Sequence, residues 1–113
     1  MSYVQLIGVP EDLALQLTRA LRDSAHQIRP VGAVPEIIFL YGGASDFRRT
    51  LSALRKSRPG IPVVLVTRTP EASLWLDALE LGARDYCCAP FARVDIGWIM
   101  ESACPRTPLR AAA

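Results

Sequence analysis

Three groups of residues in this 113-residue chain have the types and spacing for chemistry. Glu11 and Asp12 are adjacent carboxylates, Cys87 and Cys88 adjacent thiols, and Arg48, Arg49, Arg55, Lys56 and Arg58 a cluster of cations. Carboxylate oxygens can ligate a hard divalent cation, thiols can take part in redox exchange, and clustered cations can hold phosphate or nucleic acid. Each also has a plainer reading. Pro10-Glu11-Asp12 reads as a helix start, where the positive end of the helix dipole favours carboxylates. On a strand, Cys87 and Cys88 point to opposite faces, and no histidine is near in sequence to lower a thiol pKa. The cationic cluster lacks aromatic residues for base stacking and is diluted by Glu36 and Asp46, which reads as a solvated helix face. His26, the single histidine, reads as structural. Gly42-Gly43 is too short to be a dinucleotide loop. With no nucleophile–base pair and no metal-ligand cluster, no catalytic residue, metal site or cofactor is expected, and the chain reads as a non-enzyme.

Bulk properties agree. The length fits one compact domain, and half the residues are hydrophobic, enough for a core. A net charge of +2 argues against a nucleic-acid surface. No apolar run approaches the roughly 20 residues that cross a bilayer, and the start lacks the pattern of a signal peptide, so the expected compartment is cytoplasmic. Three cysteines, two of them adjacent, do not form a secreted disulfide framework. They read as small buried apolar residues.

The elements that must position these residues follow from periodicity. Apolar runs at Val4–Ile7, Ile37–Leu40 and Pro62–Val66 predict buried strands, the last being the most β-branched. Gln27-Ile28-Arg29 predicts a short strand, and Asp85–Cys88 another. Leu13, Leu17, Ala20, Leu21 and Ser24 recur at helical spacing. A second helix is expected after a Ser45-Asp46 cap, packing Phe47, Leu51 and Leu54. A third is expected from a Thr69 cap, with Pro70 in its first position, to about Leu81, where Gly82 stops it. A last one follows Pro90 and runs to Cys104. Strands alternating with helices imply parallel strands joined by right-handed crossovers. The predicted fold is a flavodoxin-like, doubly wound, five-stranded parallel sheet of order 2-1-3-4-5. It is carried on residues 1–104, with 105–113 as a linker or tail. Gly8 to Tyr41 is a short interval, so the helix between the second and third strands is expected to be short or missing.

Pro35-Glu36-Ile-Ile-Phe-Leu, Ile61-Pro-Val-Val-Leu-Val-Thr67, Ala78-Leu-Glu-Leu-Gly-Ala83 and Asp85-Tyr86-Cys-Cys-Ala-Pro-Phe91 together resemble the receiver domain of bacterial two-component response regulators. The resemblance implies an aspartate nucleophile ending the third strand, two acids after the first that hold Mg²⁺, a lysine pairing with phosphate, and a Ser/Thr bonding it. Those positions fall on Tyr41, on Gly8 and Val9, on Ala89 and on Thr67, so only the last keeps its type. A neutral phenol with a pKa near 10 neither ligates Mg²⁺ well nor accepts a phosphoryl group as a carboxylate does. Without a lysine, nothing local offsets a phosphate of about −1.5 to −2 charge.

The resemblance therefore implies a degenerate receiver without phosphoryl chemistry. Thr67 and Tyr86 fall on the family's coupled switch positions; either they keep that coupling or they only fill their places. Pro90 is expected to follow a cis bond. The family's fourth helix, fifth strand and fifth helix dock partners. Here that surface would include Trp75, Leu79 and Tyr86, and would serve a protein partner or a homodimer, with no nucleic acid or membrane. The expected function is a phosphorylation-independent signalling module, such as the N-terminal regulatory domain of a transcription regulator. The alternative is a small-ligand sensor binding at the carboxyl edge of the sheet.

Overall fold

The computed structural model describes residues 2–22, 26–28, 34–43 and 46–103. Nine elements follow in order: β1 (Ser2–Ile7), α1 (Glu11–Arg22), β2 (His26–Ile28), β3 (Ile37–Tyr41), α2 (Phe47–Ser57), β4 (Val63–Thr67), α3 (Ala72–Glu80), β5 (Asp85–Cys88) and α4 (Arg93–Ala103). The five strands form one sheet in the order β2-β1-β3-β4-β5, and every adjacent pair is parallel.

The alternation of side chains along a strand builds two cores from one sheet. Ile37, Phe39, Val64 and Val66 face Leu17 and Leu21 of α1 and Ile96, Ile99 and Met100 of α4. Ile38, Leu40, Val63 and Leu65 face Phe47 and Leu51 of α2 and Ala78 of α3. All five residues of β4 are buried, because this central strand is covered on both faces. That is why β3 and β4 are continuous apolar runs instead of alternating ones. Burial of each large side chain, such as Phe39 or Phe47, stabilises the fold by about 1.5–3 kcal/mol.

Several boundaries differ from the sequence reading. The third helix begins at Ala72, with Glu71 in the capping position and no side-chain cap bond. Thr69 is not its cap, because the Thr69 carbonyl accepts a bond from the Thr67 hydroxyl at 2.8 Å, which holds the intervening residues in a turn. Asp46 does precede α2, but its carboxylate makes no cap bond. His26 opens β2, where the sequence reading began that strand at Gln27. Ser24, Arg29, Ser45 and Cys104 lie outside the described residues, as do residues 29–33, where a shortened helix was expected.

Candidate functional site at the carboxyl edge of the sheet

Because the strands are parallel and in register, their carboxyl ends share one edge. Ile7 pairs with Leu40, Tyr41 with Val66 and Thr67 with Cys88. Gly8, Tyr41, Thr67 and Ala89 therefore lie along one edge. The Ala89–Pro90 peptide bond is cis.

Gly8, at φ +68°, turns the chain out of β1 towards α1. Such a left-handed conformation is open to glycine at little cost. Tyr41 ends β3 and is half-buried. Its phenol lies across Gly43, where a Cβ would come within 2.5 Å of the hydroxyl oxygen. Gly43 is thus what lets the ring lie down over the loop.

Arg68, the first residue after β4, reaches back over this edge. Its Nη1 donates to Asp12 Oδ2 at 2.7 Å and its Nη2 to Asp12 Oδ1 at 3.2 Å, a two-pronged pairing that suits a planar guanidinium. The bridge ties the end of β4 to the first turn of α1 across the tip of β3. The Arg68 bond holds the Asp12 carboxyl below its ordinary range. The Asp12 bond, and after it the Tyr41 hydroxyl, raise the Arg68 pKa. Both partners are exposed, so solvent screens the attraction and the bridge serves to position the loop.

Thr67 is fully buried, and both hydrogen-bonding roles of its hydroxyl are taken. It donates to the Thr69 carbonyl and accepts from Trp75 Nε1 at 3.2 Å. The Trp75 indole in turn stacks on Tyr86, with centroids 4.4 Å apart and planes 12° from parallel. Threonine, tryptophan and tyrosine form one connected unit joining β4, α3 and β5.

At this edge Gly8 and Val9 offer a divalent cation no side-chain oxygen, Tyr41 offers a phenol where a carboxylate would bind, and Asp12 is paired with a guanidinium. Among the described residues, no three His, Cys, Asp or Glu side chains converge. Cys87 packs against the core. Burial first, then the charges of Asp85, Cys88 and Asp95, push its thiol up to about 12, which makes it a poor nucleophile.

Trp75 is half-buried, with its indole stacked on Tyr86. Leu76 and Leu79 are the exposed apolar residues of α3, and Val94 and Trp98 those of α4. Two features escaped the sequence reading. One is the Arg68–Asp12 bridge, whose only signal was a cation directly after Thr67. The other is the Trp75–Thr67 bond.

The fold is that of response regulator receiver domains. It superposes on NtrX from Brucella abortus with a TM-score of 0.82 at 19% identity, covering 98% of this chain and 29% of that one. It superposes on the beryllofluoride-activated DrrB receiver domain with a TM-score of 0.77 at 15% identity, covering 94% and 99%. No family model matches the chain. In sequence it is similar to an NtrX-like response regulator of Rickettsia bellii, with 29% identity over 103 residues, or 91% of this chain. The chain spans about a fifth of the length of that relative, 21%. No helix among the described residues is long and apolar enough to cross a membrane.

Proposed function

We propose that the chain is a receiver-like signalling module that works by protein–protein contact and carries out no phosphoryl transfer. The observation that carries this is the state of Thr67. A hydroxyl meant to bond an incoming phosphoryl group needs a free donor, and this one is buried and held by Thr69 and Trp75. Around it, Tyr41 stands where a carboxylate nucleophile would act, Ala89 where a lysine would pair with phosphate, and Arg68 neutralises the nearest carboxylate. The working surface is the face formed by α3, β5 and α4, with Leu76, Leu79, Val94 and Trp98 exposed on its helices. It meets a protein partner or a second copy. By similarity to the longer NtrX-like relatives, the module acts as the N-terminal regulatory part of a transcription regulator.

The test is incubation with acetyl phosphate and Mg²⁺, followed by intact-mass measurement beside a phosphorylatable receiver. The expected result is an unmodified chain next to a modified control. A phosphate adduct on this chain would defeat the reading.

A further inference from the structure

A groove of about 400 Å³ lies between the start of α3, β5 and α4, walled by Pro70, Trp75, Tyr86, Phe91, Ile96 and Ile99. Its aromatic side is rigid before anything binds, because Trp75 and Tyr86 are stacked and Trp75 is tethered to Thr67. Polar groups are sparse and placed. The Tyr86 hydroxyl makes no hydrogen bond among the described residues, although the Tyr86 backbone N–H is satisfied by Asp85. Asp95, exposed in the first turn of α4, is the one charged residue lining the groove and places a single carboxylate at its rim. Further along α4, Glu101 borders a shallow depression beside Val94, Gly97 and Trp98.

Each feature bears on what the groove can hold. A polyproline II segment has no internal hydrogen bonds, so its carbonyls are free to accept from a hydroxyl at the wall. Its stiffness keeps the entropy cost of binding low. Aromatic-lined grooves are the surfaces that such segments dock on. A carboxylate at the rim favours a cationic flank.

We propose that this groove binds a proline-rich, arginine-flanked peptide segment, which rests on reading the α3–β5–α4 face as the working surface. The chain's own sequence contains a segment of this chemistry, Pro105-Arg106-Thr107-Pro108-Leu109-Arg110, and that hexapeptide is the probe. The full chain carrying Pro105→Ala, Pro108→Ala and Arg110→Ser, which cannot compete through its own copy of the motif, is titrated with the peptide and followed by amide NMR. Saturable shifts are expected at Tyr86, Phe91, Asp95 and the Trp75 indole. Asp95→Lys, an exposed substitution whose fold is checked by circular dichroism, is expected to weaken binding roughly five- to tenfold.

Three outcomes would overturn the proposal. One is the absence of saturable shifts in the groove. Another is equal binding of a peptide with both prolines replaced by alanine, which would reduce the effect to charge. The third is groove shifts that appear without peptide and vary with protein concentration, which would assign the groove to a second copy. No phosphoryl donor is present in this titration, so its failure leaves the acetyl phosphate result untouched, and the reverse also holds.

Discussion

Replacing Trp75 by phenylalanine removes one N–H and keeps a ring over Tyr86. Thr67 then loses its donor partner in a site with no solvent exposure, while its own bond to the Thr69 carbonyl persists. One net hydrogen bond is therefore lost, about 1 kcal/mol. Trp75→Ala also loses the stack, about 0.5–1.5 kcal/mol, and the buried part of the indole, for about 2–3 kcal/mol in all. In a domain of this size, 1 kcal/mol moves Tm by about 4 °C, so the expected losses are about 4 °C and about 10 °C. Because both variants remove one of the two tryptophans and leave the exposed Trp98, urea unfolding is followed by far-UV circular dichroism. The decisive form is a double-mutant cycle with Thr67→Val. If Thr67 and Trp75 act as one unit, the coupling energy is about 1 kcal/mol. Additivity to within about 0.3 kcal/mol would mean that the bond does not hold them together, and the reading of Thr67 as held by Trp75 would fail.

Other perturbations probe the rest of the account. Arg68 depresses the Asp12 pKa, so the contribution of the bridge is present above the unfolded value near 3.9 and is lost as pH falls through the lower folded value. Asp12→Asn should lower urea midpoints by a small, constant amount from pH 5 to 8 and flatten the acid limb below about pH 4, where the two chains converge. Cys87 behaves oppositely. Its folded thiol is pushed up to about 12 against about 8.5 unfolded. Its contribution is full below about pH 8.5 and declines above it, and peptide mapping after iodoacetamide at pH 8 should find Cys87 unmodified in the native chain. Gly82 has φ +102° under the Arg55 side chain, so Gly82→Ala should cost about 1–2 kcal/mol in thermal unfolding.

How much of this was legible in the sequence depended on whether the signal was local. The β3 and β4 runs could be read because a parallel strand buried on both faces must be apolar throughout, and Ile37–Tyr41 and Val63–Thr67 are buried that way. The start of α3 could not be read. Thr69-Pro70-Glu71 has the composition of a helix entry, but the Thr67 hydroxyl binds the Thr69 carbonyl two residues on, a competing local side-chain bond that composition does not reveal. Arg68 and Asp12 are 56 positions apart, and no periodicity links such a pair. Leu74, Trp75 and Leu76 are consecutive apolar residues on one helix, so spacing alone could not say which side chain turns inward. The stack on Tyr86 and the tether to Thr67 decide it.

On the function proposed above, this edge of the sheet holds neither a magnesium ion nor a phosphoryl group. The most direct measurement of this is an amide and indole NMR titration of the full chain with Mg²⁺ and beryllofluoride, a mimic of the bound phosphoryl group. Unchanged resonances are expected at Gly8, Tyr41, Thr67 and the Trp75 indole up to millimolar Mg²⁺. Saturable, Mg²⁺-dependent shifts centred on Tyr41 and Thr67, spreading through Trp75 to Tyr86, would contradict it.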